Sequence, residues 1–173
     1  MILEVPEELF EKARVLCKAI KEKEQALGIK NKFVNDKASY DNESSSLFIG
    51  FVGEFAFARL FGLPEPVLVE RYRDDCDFVI SGKKIDLKTK LVDKRCYVNL
   101  MQYSRKKMDV DIYVFGELYG KYYRVIGWIE YDMLPAISNL MWFPNGSQGF
   151  RIKLGRLKRI EELIQPEAKS CRV

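Results

Sequence analysis

The stretch that decides the fold runs from Asp75 to Lys90 and has the sequence Asp-Cys-Asp-Phe-Val-Ile-Ser-Gly-Lys-Lys-Ile-Asp-Leu-Lys-Thr-Lys. It contains two short strand-like runs, Phe78–Ile80 and Ile85–Lys88, with Ser81–Lys83 between them. Small and polar residues that interrupt β-forming runs are typical of a tight turn. The stretch therefore predicts a β-hairpin.

Side chains alternate between the two faces of a strand. On the second strand this places Asp86 and Lys88 on one face, and Ile85 and Leu87 on the other. The hairpin is therefore amphipathic.

The length of the turn decides where Asp77 points. A two-residue loop at Ser81-Gly82 sets Asp77 opposite Asp86, whereas a loop at Gly82-Lys83 sets it opposite Lys88. Facing Cβ atoms lie roughly 4.5–5.5 Å apart. Either loop gathers two carboxylates and an ammonium on one face, and a three-residue loop would turn Asp77 away.

Two interpretations of this hairpin stay open. In the first, its charged side chains simply face water while the apolar ones face the core. In the second, the two aspartates are hard oxygen ligands for Mg²⁺, and the lysine lies beside an attacking water.

The stretch Ser46–Gly62 predicts a helix, with serines at its N-cap and Gly62 at the C′ position. At 3.6 residues per turn, Glu54 projects from an apolar face whose residues all lie within about 60° of it. A buried carboxylate must be paired, protonated or metal-bound, because leaving it bare is costly. An ion pair with Arg or Lys remains an alternative for Glu54. The apolar face comprises Leu47, Gly50, Phe51, Phe57, Ala58 and Phe61.

Composition limits the chemistry. The 173 residues contain no histidine, which excludes histidine-ligated zinc sites, Ser-His triads and histidine-based nucleases. The four cysteines have no CxxC spacing, so neither a zinc nor a redox motif is indicated. A hydrophobic content of 47% and a charged content of 31% are typical of a soluble globular protein, and no apolar run approaches the ~20 residues of a membrane helix. We expect a single domain in the cytoplasm, without a signal peptide.

The remaining elements follow from periodicity and turn signals. Helices are predicted at Pro6–Leu27, Glu130–Leu140 and Arg156–Ile164. Strands are predicted at Val67–Arg73, Tyr97–Met101, Ile112–Leu118, Tyr122–Ile129 and, at a sheet edge, Phe150–Leu154. A long polar loop is predicted at Asn31–Ser46, and a loop or short helix at Gln102–Met108.

These pieces, in this order, resemble the PD-(D/E)XK nuclease superfamily, with its restriction-endonuclease-like or Holliday-junction-resolvase-like fold. The matching residues are Gly50–Glu54, Asp77 and Asp86–Lys88, and the strands at Asp111–Gly116 and Val125–Ile129 are similar to later strands of that fold. The resemblance covers residues 46–129. The chain departs from it at Cys76, which stands where the signature has proline.

The resemblance implies an α/β fold with a restriction-endonuclease-like core, in which helices flank a mixed central β-sheet, and with an extra N-terminal helix. It implies one nuclease-like domain over residues 1–173. Residues 1–45 would form the N-terminal helix and polar loop, residues 46–129 the family core, and residues 130–173 a C-terminal helix, edge strand and helix.

The resemblance also implies a mechanism. Asp77 and Asp86 would bind Mg²⁺, for which Mn²⁺ would substitute, helped by the backbone carbonyl of Leu87 and by Glu54 directly or through water. Lys88 would orient or deprotonate the attacking water and offset charge on the phosphate. Glu54, Asp77, Asp86 and Lys88 are thus the expected catalytic residues of a metal-dependent deoxyribonuclease.

The net charge of +4 is modest, but basic residues cluster around the acidic site. Such residues would hold the nucleic-acid backbone. The candidates are Lys83, Lys84, Lys90, Arg105, Lys106 and Lys107.

The expected partner is DNA, cut in a structure-guided or weakly sequence-specific manner, with no membrane and no small-molecule cofactor involved. A homodimer is compatible with the family, and the cytoplasm would be that of a host cell if the chain is virus-encoded. The alternative is a nucleic-acid-binding or assembly protein on the same fold that does not cleave. A third possibility is a small interaction domain with an accidental match, for which nothing would depend on a divalent metal.

Overall fold

The structure is a computed structural model that describes residues 1–26, 28, 45–67, 76–92, 97–102, 110–142 and 148–164. The elements, in chain order, are β1 (Ile2–Glu4), α1 (Glu7–Ala26), α2 (Ser46–Phe61), β2 (Phe78–Ile80), β3 (Lys83–Leu91), β4 (Tyr97–Gln102), β5 (Ile112–Tyr119), β6 (Tyr122–Glu130), a 3₁₀ turn (Tyr131–Met133), α3 (Leu134–Ile137), β7 (Ser138–Trp142), β8 (Gln148–Lys153), a second 3₁₀ turn (Leu154–Arg156) and α4 (Ile160–Ile164).

Five strands form the main sheet in the order β1-β6-β5-β3-β2. The β3–β5 pair is parallel and the other pairs are antiparallel, so the sheet is mixed. Helices pack on this sheet, which confirms the α/β class. Among the described strands, β3 is an inner strand and β2 lies at an edge.

Helix α2 packs directly on one face of the main sheet, hereafter the helix face. Its ends match the sequence signals: the Ser45 side chain accepts a hydrogen bond from the Phe48 N–H, and Gly62 has a left-handed φ of 64°. A Cβ atom at Gly53 would lie 1.8 Å from Oγ1 of Thr89 on β3. Glycine is therefore what allows α2 to approach the sheet this closely. Helix α1 buries Leu9 in the same core.

A second sheet, in the strand order β4-β8-β7, packs against part of the opposite face of the main sheet, hereafter the site face. The two sheets share a core of buried side chains on that face, among them Val98, Leu100, Tyr113, Phe115 and Ile152. The expectation of a sheet flanked by helices therefore describes the helix face, while strands cover the site face in the described part of the chain.

The helix predicted at Glu130–Leu140 is wrong. Strand β6 continues to Glu130, only Leu134–Ile137 is α-helical, and β7 begins at Ser138. Residues of β7 pair along their whole length with β8, so that tertiary strand pairing overrides the local helical pattern. The same pairing makes β8 the central strand of its sheet rather than the predicted edge strand.

The predicted closing helix starts late, because Trp128 and Lys158 exchange backbone hydrogen bonds and hold that segment extended up to α4. Strand β1, which pairs with β6, had no sequence signal. The helix at Pro6–Leu27, strand β4 and the β5–β6 hairpin are confirmed to within a few residues.

The polar loop predicted at Asn31–Ser46 lies outside the described residues except at its last two positions. The strand at Val67–Arg73 and the segment Gln102–Met108 also lie outside them, apart from their first residues. No described helix has the length and apolar character that a membrane crossing requires.

Candidate functional site

The β2–β3 turn sets the register of the hairpin around Asp77 and Asp86. Ser81 and Gly82 both have positive φ, 50° and 74°, which is the requirement of a type I′ two-residue turn. The resulting register pairs Phe78 with Ile85. This is the register of a Ser81-Gly82 loop, and the ladder ends at the Phe78–Ile85 pair, directly after Asp77.

Asp77 is tied to β3 through its backbone and its side chain. Its N–H donates to the carbonyl of Ile85 over 2.8 Å, and its Oδ2 accepts the N–H of Leu87 over 2.6 Å. The N–H and C=O of one strand residue point to the same side. The carbonyl of Leu87 therefore faces the side on which Asp77 lies.

Asp86 and Lys88 form an ion pair on the site face. The Lys88 Nζ lies 2.6 Å from Oδ2 of Asp86 and donates a hydrogen bond to Oδ1 over 2.8 Å. The aspartate side chain is 7% exposed and the lysine side chain 41% exposed. Lys88 thus extends from a buried carboxylate towards solvent.

One oxygen of Asp86 has unused capacity to accept a hydrogen bond. Its Oδ2 is buried and, although close to the lysine, accepts no hydrogen bond in suitable geometry from any described residue. Buried carboxylate oxygens are normally satisfied. The Lys88 ammonium supplies the charge partner of this oxygen, which still lacks a donor in hydrogen-bond geometry.

Tyr113 is the neighbour of Asp86 on β5 and was not predicted from the sequence. The two residues are paired in the parallel β3–β5 ladder. Burial raises the pKa of the Tyr113 hydroxyl, and the negative charge of Asp86 and the nearby Tyr131 raise that pKa further. The phenol therefore stays protonated beside the carboxylate. The sequence marked both strands, but it carried no signal that they would pair in parallel.

Glu54 lies on the helix face. Burial raises the pKa of the Cys17 thiol to about 11, and the Glu54 charge adds to that shift. Burial also raises the pKa of Tyr123, again with a contribution from Glu54. The neighbouring Thr89 hydroxyl acts in the opposite direction and lowers the pKa of Tyr123. Among the described residues neither hydroxyl makes a hydrogen bond in suitable geometry. Burial is therefore the main influence on the pKa of Tyr123.

Of the four predicted catalytic residues, Asp86 and Lys88 form an ion pair, and Asp77 binds the N–H of the adjacent Leu87. Glu54 approaches from α2 on one face of the sheet, while Asp86 and Lys88 point from the other face. No group of three or more His, Cys, Asp or Glu side chains that could hold a metal ion occurs within the described ranges.

The predicted nucleic-acid contacts have mixed surroundings. Lys83 is exposed at the hairpin turn, and the backbone N–H of Lys84 donates to Oδ2 of Asp111 over 2.8 Å. Lys90 forms an ion pair with the buried Glu117 at 3.2 Å. The remaining three candidates, Arg105, Lys106 and Lys107, lie outside the described residues.

Glu117 and its second partner Arg124 were missed. The Nε and Nη2 atoms of Arg124 both donate to Oε2 of Glu117, over 2.9 and 2.6 Å. Strand alternation alone marks Glu117 as a possible inward residue, but only the pairing of β3, β5 and β6 shows that two cations meet it.

Comparison of the chain with protein-family models, with curated proteins and with solved structures found no match.

Proposed function

We propose that this protein is a metal-dependent nuclease that hydrolyses DNA phosphodiester bonds at a site built from Asp77, Asp86 and Lys88. The proposal includes a restriction-endonuclease-like core, as the resemblance to the PD-(D/E)XK superfamily implies. The single observation that carries it is the buried Asp86 carboxylate, whose Oδ2 lies 2.6 Å from the Lys88 ammonium and accepts no hydrogen bond in suitable geometry from the described residues.

The residues present fit a hard divalent cation. Mg²⁺ prefers oxygen ligands and usually binds one or two carboxylates. Asp77, Asp86 and the carbonyl of Leu87 would hold it, and Mn²⁺ would substitute. When bound, the ion supplies Lewis acidity towards a phosphoryl oxygen and lowers the pKa of bound water.

Lys88 supports the catalytic step from the chain itself. Its ammonium is anchored on a buried carboxylate, so its position is fixed before substrate arrives. A pre-positioned cation stabilises charge that develops on the phosphate at little reorganisation cost. The Lys88 ammonium also orients the attacking water by donating a hydrogen bond to it.

A second candidate is a nucleic-acid-binding protein that does not cleave. The observation that favours it is the position of Glu54, whose charge acts on Cys17 and Tyr123 on the helix face, whereas Asp86 and Lys88 lie on the site face. In this case Asp86 and Lys88 would form a structural ion pair.

A cleavage assay separates the two candidates. Linear duplex, single strand, flap and four-way junction DNA, with matched RNA strands, would be incubated with Mg²⁺, Mn²⁺ or EDTA. We expect cutting in Mg²⁺ and Mn²⁺ that is absent in EDTA and in Asp86→Asn. Asp132→Asn removes an exposed acid of the 3₁₀ turn that follows β6 and is the matched control.

Each outcome is decisive for the proposal. Cleavage by Asp86→Asn at the rate of the wild type would remove Asp86 from catalysis. Binding without cleavage of any probe by the wild type would favour the second candidate.

A further inference from the structure

The site face carries a row of charges that the proposed hydrolysis does not use. Lys90 on β3 is paired with Glu117 on β5, and Glu117 is paired with Arg124 on β6. The three side chains therefore lie in one line across the sheet. The row starts two residues after Lys88 on the same strand face, a distance of roughly 6.6 Å at 3.3 Å per residue.

The carboxylate in the middle of this row is almost completely buried. Glu117 is 3% exposed, and its two oxygens are divided between the cations: Oε1 lies 3.2 Å from the Lys90 Nζ, and Oε2 accepts from two nitrogens of Arg124. Two positive charges against one negative charge leave the row with a net charge of +1. Glu117 thus holds two cations in fixed positions.

Arg124 presents part of its guanidinium to solvent. Its side chain is 55% exposed, and its contact with Glu117 uses the Nε and Nη2 atoms. Guanidinium carries five donors in a planar fork that suits phosphate oxygens. The remaining donors of Arg124 are therefore available for an anion on the site face.

We propose that Arg124, positioned by Glu117, binds a backbone phosphate of the nucleic acid next to the one contacted by Lys88. This inference rests on the proposed function, since it takes the substrate to be a polynucleotide. Charge complementarity supports the ligand class: Lys88, Lys90 and Arg124 lie along one face of the sheet, and a polynucleotide presents negative charges at regular intervals. Lys90 contributes to the same contact through the shared carboxylate.

The test measures binding in EDTA, where cleavage does not interfere. The probes are fluorescein-labelled DNAs of one sequence, as single strand, duplex and four-way junction, and anisotropy gives Kd at several KCl concentrations. For Arg124→Gln we expect a three- to tenfold weaker Kd at about 0.1 M salt and a salt slope smaller by about one. Arg59→Gln is the matched control, because Arg59 is an ion-paired arginine of α2 at the helix face.

A second measurement works on the wild-type protein, so that a folding defect of the variant cannot obscure the result. Phenylglyoxal modifies exposed arginines, and mass spectrometry locates the adducts. Bound DNA should protect Arg124 at least severalfold and leave Arg59 unprotected.

An unchanged salt slope in Arg124→Gln, or equal reactivity of Arg124 with and without DNA, would overturn the inference and make the row a structural ion-pair network. If the wild type nevertheless cleaves and Asp86→Asn does not, the nuclease proposal holds and only the phosphate contact of Arg124 is lost. Failure of the wild type to bind any probe in EDTA and to cleave any probe in Mg²⁺ or Mn²⁺ would overturn both.

Discussion

Asp86 and Tyr113 occupy matching positions on the parallel strands β3 and β5, and the aspartate charge contributes to the raised pKa of the tyrosine hydroxyl. The phenol therefore remains neutral to a higher pH than an ordinary tyrosine. A buried carboxylate next to a neutral phenol and an ammonium has one strong charge partner, which is Lys88. Substitution of that partner is the most direct probe of the site.

Lys88→Gln should reduce cleavage by about 10²–10³-fold, because the cation that offsets charge on the phosphate is lost. The measurement is the initial rate on the best DNA probe in Mg²⁺. Lys18→Gln, at an exposed position of α1, should retain the wild-type rate. A rate for Lys88→Gln within threefold of the wild type would remove Lys88 from the mechanism.

Gly53→Ala should destabilise the protein by about 3 kcal/mol, since the new methyl group would overlap the Thr89 side chain and push α2 off the sheet. Gly50→Ala is the matched control: a Cβ there meets nothing within 4 Å, and we expect stabilisation by about 0.5–1 kcal/mol from helix propensity. Urea unfolding measures both. Equal effects of the two substitutions would show that the close contact at Gly53 does not limit packing.

The buried Cys17 thiol should make the fold sensitive to alkali. Its pKa is about 11 in the folded protein against an ordinary value of 9.0, so the unfolded chain loses the proton first as pH rises. The contribution to stability is fully present below pH 9 and is lost between pH 9 and 11. From these two values we expect a loss of about 2 kcal/mol at pH 10.5.

The measurement for Cys17 is urea unfolding at pH 8 and pH 10.5 for the wild type and Cys17→Ala. The wild type should lose about 2 kcal/mol more than the variant over this interval, because the other cysteines and the tyrosines titrate in both proteins. Parallel losses in the two proteins would contradict the assigned pKa.

Glu117→Gln should destabilise the fold by about 2 kcal/mol, because Lys90 and Arg124 would be left facing each other without their shared anion. The partial exposure of Arg124 keeps this cost below that of a fully buried pair. Thermal or urea unfolding gives the value. Glu130→Gln, in a surface pair with Lys158, should stay within about 0.5 kcal/mol of the wild type, and a similar value for Glu117→Gln would show that solvent already screens the row.

Sequence signals predicted those parts of the fold that depend on residues close together in the chain. The β2–β3 hairpin depends on Ser81 and Gly82, and α2 depends on the Ser45 cap and the Gly62 stop; each signal lies within a few residues of the feature it fixes. Asp77, Asp86 and Lys88 could be assigned to one hairpin for the same reason, because they lie close together in the sequence.

Pairing between distant segments could not be predicted in this way. The β3–β5 ladder brings Tyr113 to Asp86 and Glu117 to Lys90, and no residue near either strand encodes that choice. The helix predicted after Glu130 failed similarly, because β8 supplies a hydrogen-bonding partner that the local pattern of Ser138–Trp142 does not reveal. The face of the sheet that α2 covers, and hence the position of Glu54, is also set by tertiary packing.

The two carboxylates of the candidate site lie in parts of the sheet that differ in local stability. Asp86 belongs to β3, which has hydrogen-bonded neighbours on both sides, whereas Asp77 directly precedes β2, a three-residue strand at the sheet edge. Amides of edge strands exchange with solvent through small local openings, while those of inner strands require larger ones. The N–H of Leu87 is held by the Asp77 carboxylate, so its deuterium exchange should report how often the Asp77 half of the site detaches while the Asp86 half stays in place.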